Sequence, residues 1–270
     1  MVGKAKYIVR ILLIGVSATF SRIVGQLLIP PGIQSVLPQS VFVENGTLPI
    51  VFSVYGVIAY SVIAALFLLV RNRLTGNKLV QGLEYGIACS LIWVAYLLEP
   101  LPHGVPLDRI TYPLADAFSL LVMGALAGIM LGRKEAKNDS KEAVKSSLPA
   151  IAAITVLFII ERLIQYYVVG IYSSFAEKAV ETIAWCAMTG ITIAYVLDWF
   201  NKQVRQNSRT ANALTVGSVI FGLNLLLFNF FVPLVLDVDL SDLLIRTGVD
   251  IAAVTIGCLF FEKNLRLRTS

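Results

Sequence analysis

The chain has 270 residues, of which 57% are hydrophobic and only 14% charged, with a mean hydropathy of +0.79. A soluble domain of this length needs a far more polar surface, so the composition excludes one and points to a chain whose outer surface meets lipid. The net charge of +5 invites a nucleic-acid reading, but the basic residues are spread over the connections between apolar runs, as membrane topology requires.

In chain order, the basic MVGKAKYIVR leads into an apolar run at 7–29. That run is too long for the core of a cleaved signal and lacks a small-residue cleavage pattern, so it is read as a first membrane span. Seven further runs, 48–70, 79–100, 113–132, 148–170, 180–200, 213–236 and 243–262, are also near the length that crosses a bilayer. Helices follow because lipid cannot satisfy backbone donors and acceptors. The runs do not alternate as the strands of a barrel do. The expectation is therefore an all-α polytopic membrane protein, a single integral domain over 1–270 with eight transmembrane helices.

The connections set the orientation. Of the 22 Lys and Arg residues, 17 fall on one set: Lys4, Lys6 and Arg10; Arg71, Arg73 and Lys78; Arg133, Lys134, Lys137, Lys141 and Lys145; Lys202, Arg205 and Arg209; and Lys263, Arg266 and Arg268. The opposite connections hold Arg109 and Lys178. This asymmetry predicts a plasma-membrane protein with both termini cytoplasmic. The outer loop from Pro30 to Thr47 carries an Asn45-Gly46-Thr47 sequon on the correct side, for which chance occurrence is the plainer reading.

The two halves, 1–135 and 140–270, echo each other. FSRIVGQLL in the first span resembles IERLIQYYV in the fifth and aligns Arg22 with Arg162. Pro100 aligns with Pro233, Asp116 with Asp250, and Gly124 with Gly257. Four spans per unit give both units the same orientation, so the expected symmetry is a parallel twofold along the membrane normal. The competing reading is that any two runs of membrane helices look alike.

The charges inside the spans carry the functional reading. Arg22 and Arg162 both lie ~10 Å below the outer end of their spans, Asp250 lies about as deep, and Asp116 and Arg246 are shallower. Glu99 falls at the outer boundary. A charge facing lipid costs about 3 kcal/mol or more, so these groups should face the bundle interior. The expected pairing joins Arg22 to one of Asp116 and Asp250, and Arg162 to the other. Glu161 is adjacent to Arg162 and about 100° from it around the helix, which leaves Arg246 as its nearest partner in depth. The candidate solute or ion pathway is Arg22, Asp116, Glu161, Arg162, Arg246 and Asp250. Such a layer either lines a water-filled cavity open to the outside or glues helices together as satisfied pairs.

Other features are plainer. Gly124, Gly128 and Gly132 form a run suited to close helix packing, and Asn224 and Asn229 should bond across helices. Pro233 should interrupt the seventh span. Asp198-Trp199 reads as an interface anchor. Cys89, Cys186 and Cys258 lie in apolar runs without CxxC spacing and read as packing residues. Glu99, His103 and Asp108, or Asp237, Asp239 and Asp242, could ligate a metal, but solvated loops explain both groups better. HExxH, GxSxG, Walker and prenyl-diphosphate motifs are absent, and no cofactor or metal is expected. The leading function is movement of a small solute or ion. The alternatives are a non-catalytic anchor or channel-forming subunit of a complex, and a lipid-modifying enzyme. The expected partners are the bilayer, a small solute or ion, and other copies or complex subunits, with no nucleic acid.

Overall fold

A computed structural model describes residues 2–29, 36–104, 106–133, 146–204, 206 and 208–261, with side chains from residue 5 onward. Lys134, Lys137, Lys141, Lys145, Arg205, Lys263, Arg266 and Arg268, on which the orientation partly rests, lie outside what is described, as does the side chain of Lys4. So does the start of the first outer loop.

The described residues are helical, with no strand among them and one isolated bridge between Gln39 and Leu236. Seven segments are long and apolar enough to cross a membrane: Ala5–Leu27, Leu48–Val70, Lys78–Leu97, Asp108–Leu131, Leu148–Val169, Ala179–Gln203 and Arg209–Val235. They correspond to the first seven predicted runs. Apart from the short helix α2 (Val41–Glu44), they are built as α1 (Val2–Leu27), α3 (Leu48–Val70), α4 (Lys78–Leu97), α5 (Asp108–Leu131), α6 (Leu148–Ile164) and α7 (Ala179–Gln203). The seventh is composite: α8 (Arg209–Ala213), a π-helical stretch Leu214–Phe221, α9 (Gly222–Asn229) and α10 (Val232–Val235). Pro233 acts as expected: α9 stops at Asn229 and α10 restarts with the proline in its first turn, where no N–H is needed.

The eighth predicted run is helical too, as α11 (Leu240–Cys258), but it is not among the long apolar segments. Its 19 residues include Asp242, Arg246 and Asp250. The burial pattern explains how such a helix is tolerated. Leu243, Arg246, Thr247, Asp250, Ala253, Val254, Gly257 and Cys258 form a buried stripe at helical spacing. Leu240, Leu244, Ile245 and Ile256 are exposed. The ionic groups therefore face the bundle and the aliphatic ones face outward, the reverse of a helix in water.

Packing within the two halves follows one scheme. Helix α1 lies against α3 and α5, and α5 lies against α4; α6 lies against α7 and α11, and α11 lies against the π-helical stretch and α9. Across the halves, α4 touches α7 and α9, and α3 touches α9. Glycines permit the closest of these approaches. A Cβ on Gly82 would stand 2.1 Å from the Gly124 carbonyl oxygen, and one on Gly128 2.0 Å from that of Lys78. The Gly124–Gly128 run thus packs backbone on backbone against α4, as its spacing predicts. Large aromatic side chains fill the centre, among them Tyr60, Phe67, Tyr85, Trp93, Phe158 and Phe200.

Candidate functional site

The charged side chains predicted to face the bundle are buried in it. They separate into two centres. The first joins α1 to α5: the Arg22 guanidinium donates from Nε to Asp116, and its Nη1 donates to Gln26 Oε1 at 2.8 Å, one helical turn along. The Tyr112 ring lies 5.9 Å from the same guanidinium. This centre is a simple acid–base pair.

The second centre is larger. Glu161, Arg162, Gln165 and Tyr166 share the inward face where α6 passes into a single π-helical turn, Gln165–Val169, that Gly170 terminates with φ of 73°. Only glycine adopts that left-handed conformation without strain. Arg162 is fully buried, and its Nη2 lies 2.6 Å from Asp250 Oδ2. Its Nη1 is 3.5 Å from Glu99 Oε1, and its Nε is 3.6 Å from Glu161 Oε1. The rings of Trp185, Phe158 and Tyr96 surround the guanidinium at 5.0, 5.4 and 5.6 Å. Aromatic faces stabilise a cation withdrawn from water.

Asp250 has two further donors, the Tyr96 hydroxyl at 2.9 Å and Gln165 Nε2 at 3.0 Å. The same amide nitrogen also donates to Glu161 Oε2. Glu99 is shared: it accepts from Arg246 Nη1 at 3.1 Å and from the Tyr166 hydroxyl at 3.3 Å, besides facing Arg162. Arg246 Nη2 donates to the Tyr172 carbonyl. At the rim of the cluster the His103 ring stacks on Tyr172, with Nδ1 3.1 Å from the Tyr172 hydroxyl. Burial pushes the His103 pKa below its ordinary value, so the imidazole is held neutral.

The expectation that each arginine takes one of Asp116 and Asp250 is met: Arg22 pairs with Asp116 and Arg162 with Asp250. One expectation needs correction. Glu161 does not reach Arg246 as a partner; it contacts its neighbour Arg162 and Gln165 instead, while Arg246 takes Glu99. The cluster is also closed: Arg162 and Asp250 are 0% exposed, and Glu161, Glu99 and Arg246 are 6–8% exposed. The cavity beside it is not a wet vestibule. It measures about 100 Å³, lies between α4 and α7, and is lined by Leu91, Val94, Ala95, Leu98, Trp185, Met188, Thr189 and Thr192. Trp185, whose ring lies 5.0 Å from the Arg162 guanidinium, also lines that space.

Glu99 is the site residue that sequence reasoning placed elsewhere. It follows α4, and a tight turn just before Pro100, with Glu99 N–H bonded to the Tyr96 carbonyl at 3.1 Å, folds it inward to 7% exposure. Among the described residues no three His, Cys, Asp or Glu side chains are grouped to hold a metal, so neither acidic loop set assembles as one. Asp198 is not an interface anchor either. It is buried, accepts the Ser147 N–H at 3.2 Å at the start of α6, and pairs with Lys202 at 2.7 Å. Asn224 and Asn229 bond across helices as expected, to Trp93 at 2.5 Å and Thr247 at 2.7 Å.

Searches against protein-family models, curated proteins and solved structures found no match to this chain.

Proposed function

We propose that this is a membrane transport protein, a small carrier whose solute or ion is handled at the Glu99–Glu161–Arg162–Arg246–Asp250 cluster. In this reading α11 is an eighth span. The chain is two parallel four-helix repeats in the plasma membrane, and both termini are cytoplasmic. The matching helix contacts of the two halves support the repeat, and the outward aliphatic face of α11 supports the eighth crossing.

One observation carries the transport reading: five ionic side chains from three segments converge inside an apolar bundle where one pair suffices in the other half. At repeat-equivalent positions the first half has Ser21 for Glu161, Tyr112 for Arg246 and Asp116 for Asp250. Holding helices together needs only the pair. The additional charges cost about 3 kcal/mol or more each to bury and point to a use beyond packing. They sit beside a π-helical turn, a feature often found at functional sites. The closed cluster corresponds to the occluded state of a carrier that admits water from the outer side in another state.

Uptake assays in proteoliposomes test this. A panel of amino acids, carboxylates, amines and inorganic phosphate is offered under pH, Na⁺ and voltage gradients, and at least one is expected to move faster than in protein-free vesicles. No flux of any member under any gradient contradicts the proposal.

The near-complete burial of the cluster favours a second reading, a rigid structural seam in a non-catalytic subunit. Purification with a fixed stoichiometric partner, without flux, would select it.

A further inference from the structure

The second centre does not balance its charge. Three carboxyl groups, Glu99, Glu161 and Asp250, meet two guanidinium groups, Arg162 and Arg246. Every member is at least nine-tenths buried. His103 stands at the rim, but it is held neutral and its Nδ1 is engaged by Tyr172, so it does not supply the missing positive charge. Asp242, also at the rim, accepts the Tyr172 N–H and adds no cation. The groups that α7 contributes around Arg162 and Tyr166 are Trp185 and Cys186, both uncharged.

The imbalance falls on Glu161. Asp250 is met by Arg162, Tyr96 and Gln165, and Glu99 by both arginines and Tyr166. Glu161 has a lateral contact to Arg162 at 3.6 Å and shares its amide donor, Gln165, with Asp250. Its Oε1 is buried with no hydrogen-bond partner, and so is Gln165 Oε1. A buried ionised carboxylate short of donors is costly, whereas a protonated one becomes a donor itself. A carboxyl O–H on Glu161 and an unfilled amide oxygen on Gln165 are complementary. A metal cation fits less well, because hard cations take about six oxygen ligands and the unpartnered buried oxygens here are two.

We propose that this cluster binds one exchangeable proton, carried on the Glu161 carboxyl at neutral pH. Loading transfers a proton from outer water to one Glu161 oxygen and leaves the cluster neutral. Release returns the proton and leaves one uncompensated negative charge facing Arg162. The inference rests on the transport reading only for the proton's use as the coupling ion.

Infrared spectroscopy of the full-length protein in lipid, with ¹³C-carboxyl glutamate, tests it. At neutral pH one protonated glutamate signal is expected, shifted by exchange into D₂O. It should vanish in Glu161→Gln and persist in Glu44→Gln, which alters an exposed acid. It should also vanish in Glu99→Gln, which balances the cluster by removing a different acid. Wild-type protein with every glutamate ionised overturns the proposal, as does a signal that survives Glu161→Gln or Glu99→Gln. A wild-type protein stabilised by Na⁺ over choline, with no protonated glutamate, also overturns it in favour of a bound cation. A protonated Glu161 in a protein that moves no solute upholds the proton site and removes the transport reading. Flux with every carboxyl ionised does the reverse.

Discussion

Arg162 and Asp250 meet at 2.6 Å with both side chains fully excluded from solvent, so α6 and α11 are joined by an ion pair inside the bundle. Breaking such a pair from one side leaves an uncompensated buried charge, which costs about 3–5 kcal/mol. Arg162→Ala should destabilise the protein by that order, read from unfolding in mixed micelles. Losses below about 1 kcal/mol would show that water already reaches the pair.

The two centres should respond differently to removal of a whole pair. Arg22→Met with Asp116→Leu replaces an isolated pair by apolar groups and should come close to wild-type stability. Arg162→Met with Asp250→Leu also takes partners from Tyr96, Gln165, Glu99 and Glu161 and should remain damaged. Equal recovery in both double variants would deny the second centre its network. Double-mutant cycles on the same micelle unfolding assay make the comparison.

Close packing of α4 on α5 depends on hydrogen atoms in place of side chains. Gly128→Leu and Gly82→Leu would drive atoms into the Lys78 and Gly124 carbonyls, so both should abolish the folded, monodisperse protein on size-exclusion chromatography. Gly248→Ala meets nothing within 4 Å on an exposed helix face. It should be neutral or stabilising by up to about 1 kcal/mol.

His103 is the one histidine, so its titration can be followed by NMR without assignment ambiguity. Its pKa should lie below the ordinary 6.5 because burial disfavours the imidazolium. A group whose folded value is lowered in this way favours the fold in its neutral form. Stability should therefore hold above pH 6.5 and decline as the pH falls below it. Tyr172→Phe removes the hydroxyl partner and should weaken the decline. A value at or above the ordinary one would contradict the buried, stacked geometry.

The eighth crossing can be read from labelling. All three native cysteines are buried, so a background of slow labelling is expected. An impermeant maleimide on intact cells should label Glu44→Cys and Ser241→Cys but not Thr75→Cys or Ser270→Cys. Labelling of Ser270→Cys from outside would show that α11 does not cross.

Much of this was legible in the sequence for one physical reason: charge is so costly in lipid that the few charged positions inside apolar runs must find one another. Depth brings Arg22 and Arg162 close to the level of Asp116 and Asp250 without telling which arginine takes which acid. Depth does not give the angle around a helix, so Glu161 was matched with Arg246, which lies at a similar level but turns to Glu99. Glu99 itself escaped because a boundary carboxylate is indistinguishable from a solvated one until the turn before Pro100 is seen to fold it inward. The role of Asp198 was hidden for a similar reason, since its partner N–H at Ser147 is 51 residues away in the chain. The eighth run departs from the other seven because it carries three ionisable residues, Asp242, Arg246 and Asp250, the last two of them buried.

The most direct measurement is flux in proteoliposomes reconstituted with wild-type protein, Glu161→Gln or Glu44→Gln, each matched for folded content by thermal unfolding. If the cluster is where the solute or ion is handled, wild type and Glu44→Gln move it at the same rate and Glu161→Gln loses at least tenfold. Equal flux from all three would contradict the assignment and leave the buried charges as structural pairs.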